Sequence, residues 1–381
     1  MSHSGAHPPR CLAVNLDLVP NNVVSVTRSA ASDIAAFAAE PELLASFPRL
    51  VADIGGTNAR FGWLPGPGAP VEQVHKLSVP AYAGPAQAAQ AYLAILSAQQ
   101  GDAFRPPRHA AFAVATAVAG DAISFTNSHW AFSRAEVQAA LGLQSLLMLN
   151  DFEALALSLP RLGAGQLHSH DGAQWPANSA VAERIGRMLA VVGPGTGLGV
   201  GAVVRARSGW IALPGEGGHA TLSAANALES EVLAAARQQF AHVSAERLLS
   251  GIGLPVLHSA LGQVLGAGLT AALPAAQIVE SGRDGRDALC SQTLDLFCAL
   301  LGGFAGNVAL TLGARGGVFI GGGIAPRFEE RFFASEFRAR FEAKGRFAEY
   351  LAAIPTALIT DTLAALSGAA LAIEQSVSPA G

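Results

Sequence analysis

Two stretches of this chain share one plan, and together they limit its fold more than any other feature. LVADIGGTNARFGWL (50–64) and LAVVGPGTGLGVGAVV (189–204) each run from an apolar strand into glycines with a threonine, then out into a second apolar strand. They form a candidate internal repeat of hairpin-like units with Gly-Thr tips. A dinucleotide-binding fold places a helix after its glycines. A strand follows here, so the nominal G-x-G-x-x-A of Gly197, Gly199 and Ala202 is set aside. Glycine tips let backbone N–H groups approach an anion closely, and Thr57 and Thr196 offer hydroxyl donors. Two ordinary hairpin turns are the plainer reading. The repetition, with Asp53 beside the first tip, favours two tips holding a triphosphate between them.

Lysine narrows the route to phosphate. The chain has only Lys76 and Lys344, and neither ends a glycine-rich loop. That excludes the G-x-x-x-x-G-K-[ST] loop and the protein-kinase glycine loop with its paired lysine. ATP, if bound, is bound another way. A net charge of -4 offers no basic face for nucleic acid.

Around the hairpins, apolar runs alternate with helical stretches. RLVADIG, ARFGWL, HAAFAVATAV and SLLMLN read as strands, with a helix in PAQAAQAYLAILSAQQ. A second series follows: strands in MLAVVG, GAVVRA, GWIAL and GGVFIGG, and helices around ESEVLAAARQQF and AERLLS. This order predicts mixed sheets covered by helices, and 381 residues suffice for two domains. The turn cluster LPRLGAGQLHSHDG (159–172) marks the boundary between the two series. LFCALLGGFAGNVALTLGA (296–314) runs nineteen residues without a charge, long enough to span a bilayer. Asn307, its glycines and the strand directly after it favour a buried helix, so no membrane association is expected. Cys11, Cys290 and Cys298 are too few and scattered for a disulfide framework or a Cys-rich zinc site. A reducing compartment follows. Residues 1–48, with two arginines against four acids and a helix signal in SAASDIAAFAAEPELLASF, are an extension with no assigned chemistry, either disordered or a mis-set start.

Several polar residues stand out against this scaffold. Asp53, two residues before the glycines, is placed either to reach a phosphate-bound Mg²⁺ through water or to cap the turn. Asn150 and Asp151 end one strand and begin the helix DFEALALSL, where a carboxylate serves equally as a base for an attacking hydroxyl or as a helix N-cap. Glu216 and His219 lie between glycines in LPGEGGHATL, a loop with no packing reason to carry them. Glu246, in HVSAERLLSG, reads as a solvated helix carboxylate unless it joins Asn150, Asp151, Glu216 and His219, a set suited to a neutral polyol. His242 and Glu246 do not match H-E-x-x-H, so neither is read as a metal ligand. GGVFIGGGIAPRF (316–328) ends a strand in three glycines, enough for a ring or ribose to lie against the backbone.

In this order, ADIGGTNARFG, TNSHWAFS, LNDFEALALSLP, GPGTGLGVG, LPGEGGHATL, HVSAERLLSG and GGVFIGGGIAPRF resemble bacterial glucokinase of the ATP-dependent, hexokinase-related type, from about Leu50 to Pro355. The resemblance implies an α/β fold of the actin-like ATPase (ribonuclease H-like) kind, with two α/β domains around a central cleft. The small domain would be 49–161 plus 361–381, and the large one 162–360. It implies a cytoplasmic, homodimeric enzyme of glycolysis, converting MgATP and D-glucose to glucose 6-phosphate, with Asp151 as general base. Asn150, Glu216, His219, Glu246 and Asn127 would hold the sugar. Ala52, Asp53, Ile54, Gly55, Gly56, Thr57, Gly195, Thr196 and Gly197 would cradle phosphates, with Gly321 and Gly322 near the adenosine. The tail lacks the family's usual Asn-Pro, and the Cys-rich zinc motif of the related repressor-and-sugar-kinase family is absent. A kinase of another hexose, such as fructose or mannose, and a catalytically silent sugar-binding regulator are the alternatives. Arg60 serves either the phosphates or the second strand.

Overall fold

The computed structural model describes residues 44, 46–125, 128–169, 188–268 and 272–377. The chain divides into Met1–Pro41 and Glu42–Gly381. The first unit lies outside the described residues, with most of the helix expected over 29–47, and so does Asn127.

In Glu42–Gly381 the first half of the chain builds one sheet. Strands β1 (Arg49–Ile54), β2 (Asn58–Leu64) and β3 (Glu72–Ser78) form an antiparallel meander, and helix α1 (Pro85–Gln100) crosses to β4 (His109–Val114). A hairpin of β5 (Ala122–Ser124) and β6 (Ala131–Ser133), then α2 (Arg134–Ala140), leads to β7 (Ser145–Asn150). The order is β3-β2-β1-β4-β7, with β1, β4 and β7 parallel.

Helix α3 (Asp151–Ser158) takes the chain towards a second sheet of β8 (Leu167–Ser169), β9 (Met188–Pro194), β10 (Leu198–Ala206) and β11 (Gly209–Leu213). Four helices follow: α4 (Ala227–Arg237), α5 (Leu254–Val264), α6 (Ala275–Arg283) and α7 (Ala288–Leu312). Then come β12 (Val318–Ile320), α8 (Glu329–Ala334), α9 (Phe337–Glu342), α10 (Ala348–Ala352), β13 (Thr356–Ile359) and α11 (Ala364–Val377). The order is β11-β10-β9-β12-β13-β8, with β9, β12 and β13 parallel.

Strict alternation along the parallel strands explains the layering. Leu50, Ala52 and Ile54 join Phe112 and Met148 in an outer core under α1, while Val51, Ala111, Ala113 and Leu149 face inward. In the second sheet Ala190, Val192, Val318 and Ile320 face outward to α5 and α7, and Leu189, Val191, Phe319 and Ala357 face inward. The two inward faces share one core with α3 and α11. Strands covered on both sides must be apolar at nearly every position, which is why they read as continuous runs. The expected buried helix is α7: it starts at Asp287, whose side chain accepts from Cys290 N, and ends at the left-handed Gly313 (φ 65°). Of its most apolar window, 78% lies inside the protein.

Two local expectations fail. The strand in HAAFAVATAV stops at Val114, where the chain turns. AERLLS is a run of turns and not a helix. Ser244 Oγ accepts from Arg247 N (3.2 Å) and Ser250 Oγ donates to Glu246 O (2.7 Å), side-chain bonds that compete with a helical ladder. Residues 243–246 are also held against 218–222 by backbone bonds.

Helices α3 and α11 touch backbone to backbone at Gly368. A Cβ on Gly368 would overlap the carbonyl oxygen of Ala154 and lie 3.0 Å from Ser158 N. Gly368→Ala should therefore lower stability by about 1–3 kcal/mol or more, since a backbone carbonyl cannot move aside like a side-chain tip. Urea denaturation measures it, and an unchanged midpoint would mean the helix pair separates without cost.

Candidate active site

The Gly-Thr tips lie at the C-terminal ends of β1 and β9, and α3 starts from the C-terminal end of β7. That is where open α/β sheets place their ligands. At the first tip, Gly55 N donates to Asn58 O (2.9 Å); at the second, Gly195 N donates to Gly197 O (2.8 Å). The first glycine N–H of each tip thus closes its own turn, and the threonines, Thr57 and Thr196, are exposed. Of the stretch Ala52–Thr57, Ala52 and Ile54 are wholly buried in the outer core. Only Asp53 and the tip Gly55-Gly56-Thr57 are open to a ligand from this strand.

Asp53 lies opposite Arg60 in the β1–β2 register, and its Oδ2 pairs with Arg60 Nη1 at 3.0 Å. This answers the open question of Arg60, which balances Asp53. Burial nevertheless holds the Asp53 carboxyl above the usual carboxylate range.

Asn150, not Asp151, caps α3. Its Oδ1 accepts from Phe152 N (2.9 Å) and its Nδ2 donates to Thr116 O (3.2 Å). Asp151 is the first helical residue, so the cap reading of this carboxylate falls away. Its carboxyl is pushed up to about 6, first by burial and then by the charge of Asp53, with Glu216 adding to it. The charges of Asp53 and Glu216 thus both act on Asp151. A carboxylate oxygen is a donor that Mg²⁺ prefers, and Asp53 is the carboxylate beside the first tip.

The glycines around α3 have a use that sequence reasoning missed. A Cβ on Gly193 or Gly199 would overlap the Phe152 ring, and one on Gly201 would sit 3.0 Å from Phe152 O. One on Gly321 would meet Leu155 at 3.0 Å. These glycines form a floor on which α3 lies, bringing the helix that carries Asp151 against the second sheet. Gly197 is limited differently, because its Cβ would overlap the Glu246 carboxylate.

Glu246 lies against the second Gly-Thr tip and not on a helix surface. Its Oε2 accepts from Leu198 N (2.9 Å), its backbone N donates to Gly218 O (2.8 Å), and its Oε1 lies 3.9 Å from Nε2 of the exposed His219. The loop of Glu216 and His219 follows β10 closely because Gly218 packs against Leu198 O with no room for a side chain. His219 and Glu246 thus meet at the β9–β10 hairpin, with Glu216 three residues before His219 on the same loop.

On the far side of Gly195-Thr196 is a cavity of about 330 Å³ lined by Gly251, Leu254, Ala275, Val279, Gly323 and Arg327, among others. Gly321 is buried, and Gly322 (φ +77°) closes against Pro194 O. Gly323 and Ile324, directly after Gly321 and Gly322, line this cavity. A larger cavity of about 740 Å³ adjoins α11, lined by Arg161, Arg205, Trp210 and Asp361, but none of the carboxylates above reaches it. The smaller cavity matters because it adjoins the tip.

Paired inward-facing sheets with a phosphate-sized tip on each define the actin-like ATPase fold in its sugar-kinase form. A family model described as Glucokinase matches residues 50–376. A glucokinase of Aromatoleum aromaticum is 46% identical over 333 residues, covering 87% of this chain and 96% of its own. One of Chromobacterium violaceum is 47% identical, covering 88% and 91%. The crystal structure of a glucokinase from an Antarctic psychrotroph superimposes with a TM-score of 0.76 at 36% identity, covering 86% of this chain and 98% of that one. The chain belongs to the glucokinase family.

Proposed function

We propose that this protein transfers the γ-phosphoryl group of ATP to the 6-hydroxyl of D-glucose, giving glucose 6-phosphate and ADP. The observation that carries the reading is Asp151, raised to about 6 and set on the first turn of a helix between two Gly-Thr tips. A base with that affinity is ionised at neutral pH yet strong enough to take a hydroxyl proton. In this reading Asp151 accepts the proton as the 6-oxygen attacks phosphorus, the new O–P bond forming as the bond to the β-phosphate oxygen breaks. Glu216, His219 and Glu246 hold the other hydroxyls, with the second Asn150 Nδ2 hydrogen and Asn127 completing the set. Gly56-Thr57 and Thr196-Gly197 hold phosphate oxygens, and the nucleoside enters the 330 Å³ cavity beside Gly323. Mg²⁺ bound with ATP supplies positive charge to the phosphates, and Asp53 would hold it through water. We assign 49–161 with 361–381 to a small lobe and 162–360 to a large one, which close to exclude water. A cytoplasmic setting suits the buried free thiols of Cys290 and Cys298.

A coupled assay of glucose, fructose and mannose with MgATP or polyphosphate tests the proposal. Glucose with MgATP should be the preferred pair. Its kcat/KM should fall about tenfold per pH unit below about pH 6, as Asp151 takes up a proton and loses its function as base. Faster turnover of another hexose would reassign the substrate, and no glucose 6-phosphate would leave a binding protein.

A further inference from the structure

The large sheet's helices hold a cluster that phosphoryl transfer does not use. His258 on α5 and Cys290 in the first turn of α7 are buried, with Nε2 and Sγ 3.7 Å apart. Asp287, the exposed N-cap of α7, adds a carboxylate, and one ligand atom from each of the three lies within 4.8 Å of the others. Helices α5, α6 and α7 pack on one another here. The α5 residue Leu254 and the α6 residues Ala275, Ala276 and Val279 face the 330 Å³ cavity. The cluster therefore links α5 to α7, both of which pack on α6.

Imidazole, thiolate and carboxylate are the donors zinc prefers. With Zn–N near 2.05 Å and Zn–S near 2.3 Å at a tetrahedral angle, the two donor atoms sit about 3.6 Å apart. The observed separation already matches. We propose that His258, Cys290 and Asp287 bind one zinc-type divalent ion, with the fourth position open to solvent on the Asp287 side. Its soft and borderline donors set it apart from the carboxylates around Asp151. Burial and the neighbouring Asp287 push the free thiol up to about 11, so the metal-free cluster holds a neutral thiol. Binding then forms the metal–sulfur bond and releases the thiol proton to water, with no change in oxidation state. The competing arrangement is an S–H···N hydrogen bond beneath an ordinary helix cap.

The test is titration of chelator-treated full-length protein with Co²⁺ alone. One equivalent should give near-ultraviolet thiolate-to-cobalt charge-transfer absorption, and Zn²⁺ should displace it. Cys290→Ser should abolish the band. Asp287→Asn keeps a good N-cap and should weaken binding about tenfold or more. The proposal is overturned by no band in the wild-type protein, or by a band that survives Cys290→Ser. If Cys290→Ser does not fold, undiminished Co²⁺ affinity in both His258→Gln and Asp287→Asn overturns it.

Discussion

Asp151→Asn should lower kcat by about 10²–10⁴-fold while leaving the KM for glucose within about tenfold. The substitution keeps the shape of the side chain and removes only its ability to take a proton. Its effect on stability separates this outcome from unfolding. The Asp151 carboxyl is raised from 3.8 to about 6 in the folded chain, so between those values the folded state binds more protons than the unfolded one. Above pH 6 the ionised group opposes folding. The variant should therefore melt at the same temperature as wild type or higher at pH 7, with its activity gone. Near-normal turnover would remove Asp151 from the chemistry, and a lower melting temperature would show that the electrostatic account is wrong.

Gly199→Ala should cost about 10²-fold in kcat, the scale expected when a catalytic group is moved by about 1 Å. The new methyl would overlap Phe152 at Cγ, Cδ2 and Cε2, so the ring must shift from its root and not only at its tip. Phe152 follows Asp151 directly, and its N–H is bonded by both Asn150 Oδ1 and Asp151 Oδ1 (3.0 Å), so the displacement passes to the base. Kinetics of the single and double variants decide whether the loss arises there. In the Asp151→Asn background the same substitution should add little, because the two changes act on one group. An equal loss in both backgrounds would place the damage elsewhere, for instance at the second Gly-Thr tip.

How much of this was legible in the sequence depended on whether a residue's meaning is local. The hairpins, the parallel strands and the start of α3 were legible, since alternation and caps are written in adjacent residues. Arg60 was also legible in principle: a two-residue tip at Gly56-Thr57, with Gly55 opposite Asn58, sets Asp53 opposite Arg60, and the ladder has that register. The purpose of each glycine was not legible. A sequence states that a side chain is missing without stating what fills the space, so the room that Gly193 and Gly199 make for Phe152 could not be read from it. The same limit hid that Gly322 packs on Pro194 O while Gly323 lines the cavity. Glu246 looked like a helix-surface carboxylate because the pull of Ser244 and Ser250 on the backbone depends on the chain they face.

Arg49 Nη1 donates to Ile373 O at 3.0 Å, a bond between the first strand and the last helix, 324 residues apart. Helix α11 covers β1 and β4 on their inner side. During synthesis the N-terminal sheet is made early but stays uncovered until almost the whole chain has left the ribosome. Loop-closure entropy of that size slows the final step and leaves an apolar face exposed while it waits. The residues after Asp361 are therefore not a dispensable tail, and a shortened chain would lack the cover of the sheet that was made first.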